Sequence, residues 1–158
     1  MTHTESAVAE WRGSRGPRPS GMTNGTDETP QPLGLQERLG LELQEVTNTM
    51  VRIYKKLFGR GPTKARSSYA GRDPFIATLE NSLTATERNM IALGEHQQVR
   101  ETRALFQYAS ERDFIETVEQ ITGRRVRAFV SGTDTHQVVS SEVFCFEPVA
   151  SPEAINGG

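Results

Sequence analysis

MVRIYKKLFGRGPTKARSSYAG, residues 50–71, contains the transition that decides the fold. Its first half continues an apolar stripe at helical spacing, Gly59-Arg60-Gly61-Pro62 breaks that stripe, and from Lys64 the chain alternates as a strand does. Gly59 and Gly61 lack the Cβ that a left-handed helix end disfavours, and Pro62 forces extended backbone on the residue before it. Upstream, Leu35, Leu39, Leu43, Val46, Met50, Ile53 and Leu57 recur at spacings of 4, 4, 3, 4, 3 and 4, which is one face of an α-helix. Val51, Tyr54 and Phe58 widen the stripe towards the C-terminal end. Lys55 and Lys56 fall in the last turns, where cations complement the helix dipole. A helix this long in a small domain outreaches a single core with its N-terminal half, so a homodimer is expected.

Downstream, Lys64 to Ala70 and Phe75 to Leu79 read as strands, joined by the turn chemistry of Gly71-Arg72-Asp73-Pro74. Ala65, Ser67 and Tyr69 share a face of the first; Phe75, Ala77 and Leu79 share a face of the second, with Ile76 and Thr78 opposite. Thr84 and Glu87 have the spacing of a capping box and open a helix whose apolar face is Met90, Ile91 and Leu93. Gly94 stops or kinks it. The next helix, Glu95 to Ser110, is read with Val99, Leu105 and Phe106 inward and Arg100 and Arg103 displayed. A third opens at Glu111-Arg112-Asp113, packs Phe114, Ile115, Val118 and Ile121, and closes at Gly123. Arg125 to Val130 and Val138 to Phe146 read as a second hairpin turning on Ser131-Gly132-Thr133-Asp134. The order is α-β-β-α-α-α-β-β. Two antiparallel β-hairpins separated by a helical segment, with no β-α-β crossover period, make an α+β two-layer domain.

Composition bounds the rest. The chain has 158 residues, of which 35% are hydrophobic, and the apolar deficit lies at its ends. Residues 1–34 and 150–158 are expected to be disordered, because they cannot bury enough apolar surface to offset ordering entropy; residues 35–149 form the single domain. Trp11 stands alone among polar residues, and Met22 offers an alternative translation start. No apolar run is long enough to span a bilayer, and the N-terminus lacks a secretory signal's apolar core. A cytoplasmic location follows, with a peripheral position at the inner face of the membrane as the alternative. Cys145 is the only cysteine, so no intrachain disulfide or CxxC site exists, and its alternation with Phe144 and Phe146 suggests a packed thiol.

Three blocks together, MVRIYKKLFGRGPTKARSSYAG at 50–71, GEHQQVRETRALFQYA at 94–109 and ITGRRVRAFVSGTDT at 121–135, resemble the MpsC-like family, whose name refers to Na+-translocating membrane potential-generating systems. The resemblance runs from about Val46 to Glu147. The residues that match its motifs are Gly59, Arg60, Gly61, Pro62, Lys64 and Arg66, then Gly94, Glu95, His96, Arg100, Glu101 and Arg103. The resemblance implies an accessory or regulatory protein of a membrane system for sodium-coupled inorganic-carbon (bicarbonate) uptake, with membrane transport subunits as partners. It supplies no active site. The Pro/Gly-rich N-terminus departs from the compact pattern of the family.

No catalytic signature, metal site or cofactor site is read from the residues themselves. His96, Arg100 and Arg103 lie at i, i+4 and i+7, one helical stripe, with Glu101 beside it. Two guanidiniums and an imidazole projecting together suit a carboxylate, phosphate or bicarbonate; the plain alternative is a salt-bridged, solvated face. Acid–base chemistry by His96 and Glu95 would make the protein a small hydrolase or lyase. The turn at Arg60, Gly61, Lys64 and Arg66 suits an anion nest, although GxxxxGK[ST] is absent and its glycines end a helix rather than open one. A net charge of −2 hides seven cations between Arg52 and Arg72 (with Lys55, Lys56, Arg60, Lys64 and Arg66) and no acid among them. With Arg124, Arg125 and Arg127 these raise RNA or anion binding as the alternative to protein contacts. Histidine occurs only at positions 3, 96 and 136, a poor basis for a metal centre.

Overall fold

The structure, a computed structural model, describes residues 31–150. The readings for residues 1–30 and 151–158, including His3, Trp11 and Met22, lie outside the described residues. Helix α1 (Leu35–Phe58) is followed by strands β1 (Lys64–Tyr69) and β2 (Pro74–Glu80). Three helices come next, α2 (Ala85–Ala92), α3 (His96–Ala109) and α4 (Glu111–Thr122), then β3 (Val126–Asp134) and β4 (Val139–Phe146). The expected α+β order is therefore present, and the two hairpins join edge to edge. The result is one four-stranded antiparallel sheet of order β1-β2-β4-β3.

Local chemistry accounts for the element ends. Gly59 takes φ 74°, a left-handed conformation that costs glycine nothing, and its N–H closes α1 on the Lys55 carbonyl at 2.9 Å. Thr84 Oγ1 accepts from Glu87 N at 3.2 Å while Glu87 Oε2 accepts from Thr84 N at 2.7 Å, the reciprocal bonds of a capping box. The second hairpin turns later than expected. Gly132 stays in the ladder opposite Ser141, and the Thr133 and Ser140 hydroxyls bond at 2.9 Å. The chain reverses through Thr135–Val138, where the Asp134 carboxylate accepts from Gln137 N at 2.6 Å. Side-chain capping by Asp134 outweighs the backbone freedom of Gly132.

Register sorts the inner face of the sheet into cross-strand rows. One is aromatic: Tyr69, Phe75, Phe144 and Phe129 are successive partners across all four strands. Their rings contact edge-on or tilted, at 5.1 Å for Tyr69–Phe75, 6.3 Å for Phe75–Phe144 and 5.2 Å for Phe129–Phe144. Val46, Met50 and Tyr54 of α1 and Phe114 and Val118 of α4 are fully buried against this row in a single core, with Tyr69 half-buried at its edge. Each such side chain contributes roughly 1.5–3 kcal/mol by leaving water.

The adjacent row is polar: Ser67, Ala77, Glu142, Ser131. Glu142 has no exposed surface. Its Oε1 accepts from Tyr54 Oη and, at 3.0 Å, from Gln107 Nε2, which also donates to Tyr54 Oη at 2.9 Å. Burial, opposed by the bonds from Tyr54, Ser131 and Gln107 and by the charge of Arg103, pushes the Glu142 carboxyl up to about 7. Burial and the neighbouring Glu142 charge push the Tyr54 hydroxyl well above the usual phenol range, so it stays a donor. Glu142 Oε2 and Ser131 Oγ are both buried without a hydrogen bond of normal geometry, and they belong to directly opposed residues. A proton on Oε2 turns one orphan acceptor into a donor for the other.

The folded state thus holds a proton that the unfolded chain, with a carboxyl near 4.5, releases. The stabilisation from this group is complete below about pH 4.5 and is lost as the pH rises to about 7, a difference on the order of 3 kcal/mol. Glu142→Gln keeps the neutral hydrogen-bonding form at every pH. Urea unfolding of both proteins at pH 5 and pH 8 is expected to show wild type losing roughly that much relative to the variant. A constant difference between the two would mean that the buried carboxyl ionises freely.

Candidate functional site

Helix α3 is the element on which the expected site rests, and its orientation differs from expectation. Val99, Arg103 and Gln107, at i, i+4 and i+8, are its buried residues. Arg103 is not displayed: its relative exposure is 0%, whereas Leu105 and Phe106 are 68% and 47% exposed. The cause is the set of acceptors under the guanidinium. Arg103 Nε and Nη2 grip the Glu87 carboxylate at 2.8 and 2.9 Å. Nη1 and Nη2 reach Ser82 Oγ at 2.9 Å and Ser82 O at 2.8 Å. The Phe58 ring covers the cation at 4.2 Å. Burial alone would raise the Glu87 carboxyl, but hydrogen bonds from Arg103 and from Thr84 N outweigh it and hold the pKa below the ordinary value.

His96 and Arg100, the other two members of that stripe, do converge. They meet on Thr135 in the β3–β4 turn, with His96 Nδ1 at 2.8 Å and Arg100 Nη1 at 3.2 Å from its Oγ1. His136 from the same turn stacks on His96, ring centroids 4.2 Å apart. The turn is conformationally strained: Val138, a β-branched residue, has φ 57°, and Asn81 N holds its carbonyl at 3.0 Å. The resulting cluster has a guanidinium and two imidazoles around a buried hydroxyl, suited to a small anion or to a carboxylate on a partner.

The Arg60–Arg66 group lies on the opposite edge of the sheet. Lys64 and Arg66 both approach Glu80, at 3.6 and 3.7 Å. Gly61 packs beside Val51 of α1, and Arg60 is half-buried at the end of the helix. The three cations of the 124–127 segment are also engaged. Arg124 donates to Arg72 O at 2.8 Å and lies over the Phe146 ring at 4.3 Å. Arg125 is 3.6 Å from Glu119, and Arg127 donates to Phe146 O at 3.2 Å.

Glu142, Gln107, Thr135 and His136 were not singled out from sequence. For Glu142 a signal existed: it shares the even positions of β4 with Phe144 and Phe146. For Thr135 none did, because its role depends on where the hairpin turns.

A family model described as "Na+-translocating membrane potential-generating system (MpsC)" matches residues 41–148, more than half of the chain. No curated protein and no solved structure matches. The matched span includes both cationic groups, the Arg103 fork and Glu142.

Removing one partner of a buried pair leaves the other charged and unpaired. Arg103→Ala is therefore expected to cost about 3–5 kcal/mol. Arg103→Lys recovers only part of this, since one ammonium cannot serve Glu87 and Ser82 together. Arg100→Ala should cost less than about 1 kcal/mol, as exposed substitutions do. Denaturant titration followed by circular dichroism measures all three. Equal small losses would place Arg103 back at the surface.

Proposed function

The chain belongs to the MpsC family, and on that premise we propose that it is an accessory or regulatory protein of a Na+-translocating membrane system. It acts through protein contacts, as a homodimer on the cytoplasmic side, without a reaction of its own. The resemblance of its motifs ties that system to bicarbonate uptake. Among the described residues no helix is long and apolar enough to cross a membrane.

The observation that carries this reading is the outer side of α3. The helix spends an arginine and a glutamine on the interior and leaves Leu105 and about half of Phe106 exposed, the Phe106 ring touching Phe58 on its inner side. Single exposed apolar residues are ordinary. Two adjacent ones, displaced outward by buried polar groups, form a surface that gains from being covered. A second reading, anion binding, is favoured by the convergence of His96 and Arg100 on Thr135, with His136 stacked on His96. Polynucleotide binding has less support, because Lys64, Arg66, Arg124 and Arg125 are matched by acidic neighbours.

Tagged full-length protein, purified from gently detergent-solubilised cells, is expected to retain integral membrane subunits in stoichiometric amount. Leu105→Asp should release them while leaving the circular dichroism spectrum unchanged. Subunits that stay bound to the variant would remove α3 as the contact. RNA in their place, lost on changing Arg60, Lys64 and Arg66 to Ser, would favour the nucleic-acid alternative.

A further inference from the structure

The strand register also orders the outer face of the sheet. Tyr54, Gln107, Phe114 and Val118 of the helices reach the inner face; the opposite face carries its own cross-strand rows. Ser68, Ile76, Val143 and Val130 are successive partners, as are Arg66, Thr78, Ser141 and Gly132, and then Lys64, Glu80, Val139 and Asp134. The apolar positions are half-buried by their neighbours on the sheet, except Val130, which is 54% exposed. Cys145 lies on this face too, paired between Pro74 and Ala128. The face is apolar in the middle, cationic along β1 and acidic at the end of β3.

We propose that a second copy of this chain covers this face, by a two-fold rotation about an axis along the strands between β2 and β4. The proposal rests on the homodimer reading and assigns its interface. Such a rotation exchanges left and right across the sheet and preserves position along the strands. Lys64 therefore comes opposite the partner's Asp134, and Asp134 opposite the partner's Lys64. Ile76 comes opposite the partner's Val143, and Val130 lies over the partner's Ser68. Charges of opposite sign meet at the two ends of the Lys64–Asp134 row, where Glu80 lies over the partner's Val139 and beside Lys64, and the apolar residues meet in the Ile76–Val143 row. Lys64 and Arg66 can reach across, because their own contacts with Glu80 are no closer than 3.6 Å. A rotation about an axis perpendicular to the strands would instead lay the cationic β1 edge on the cationic β1 edge.

Size is consistent with a reversible dimer. Four strands about 4.8 Å apart and some six residues rising about 3.3 Å each give a flat face of ~400 Å² per copy, below the ~800 Å² per partner of a standard interface. Aligned sheets pack face to face at about 10 Å, within about 30° of parallel. The exposed leucines of α1 make a poorer seam. Leu35 and Leu41 are 64% and 55% exposed but lie six positions apart, about 240° around the helix.

The test uses the full chain and its native thiol. Sedimentation velocity from micromolar to hundreds of micromolar protein is expected to show a concentration-dependent dimer. A short bismaleimide is expected to join the two copies through Cys145. Val143→Glu should raise the dissociation constant at least tenfold and remove the crosslink. Val130→Glu, at a position the fold already exposes, should raise it severalfold with unchanged circular dichroism. A dimer that survives both variants but dissociates with Leu39→Glu would keep the homodimer and overturn this interface in favour of α1. A monomer at every concentration would overturn both: readily modified Cys145 would leave the face to a different protein, and protected Cys145 would mean another part of the chain covers it.

Discussion

The guanidinium of Arg103 is the contact on which the helical layer depends. A cation with no exposed surface is tolerated only where its donors are met, and four bonds to Glu87 and Ser82 meet four of its five N–H groups. That requirement fixes the rotation of α3. Once position 103 faces inward, 99 and 107 follow at intervals of four, and Leu105 is carried to the outside. It also ties three elements together, because Glu87 caps α2, Phe58 ends α1, and Gln107 one turn on reaches Tyr54 and Glu142. The pair need not add net stability, since replacing such ions by apolar groups is often neutral or better. Its consequence is orientation: it selects the one rotation of α3 that places apolar side chains in solvent.

The sheet has the same division between stabilisation and specification. Its aromatic row and the core residues of α1 and α4 supply the burial. The polar row beside it, from Ser67 to Ser131, restricts how α1 and α3 may sit. Thr47 Oγ1 bonds Ser67 Oγ at 2.8 Å, and Tyr54, two turns further along α1, bonds Glu142. An apolar helix face could slide on an apolar sheet; two fixed hydrogen bonds prevent it. The half-satisfied carboxyl of Glu142 links this register to pH.

Much of this was legible in the residues, wherever hydrophobic period and special backbone residues agree. The long stripe ending at Gly59, the Thr84/Glu87 box and the alternation of Phe75, Ala77 and Leu79 all stand, because each is decided within a few residues. The failures have a common cause. In α3, Leu105 and Phe106 were placed inside by hydrophobicity, but the acceptors that draw Arg103 inward come from residues 82 and 87, on another element. In the second hairpin, Gly132 looked like the turn, but pairing with β4 extends β3 to Asp134. Of the candidate site, His96 and Arg100 are together as their spacing implies. Their meeting point, Thr135, and the stacked His136 depend on that displaced turn. Local pattern finds elements; facing chemistry decides which side of an element looks inward.

The two proposed surfaces are compatible through the direction of the symmetry axis. An axis along the strands leaves both copies pointing the same way, so the ends carrying the β3–β4 turn lie on one side of the assembly. Lys64, at the start of β1, shares its row with Asp134, at the end of β3. The His96, Arg100 and His136 cluster at the β3–β4 turn therefore lies at the same end of each copy as Lys64, across the width of the sheet from it. Two such ends, held side by side, would meet a planar or two-fold partner at once, and the second contact would form at the high effective concentration set by the first. The α3 faces remain uncovered on the outer side of each helical layer. The α3 surface proposed as the partner contact therefore stays open in both copies of such a dimer.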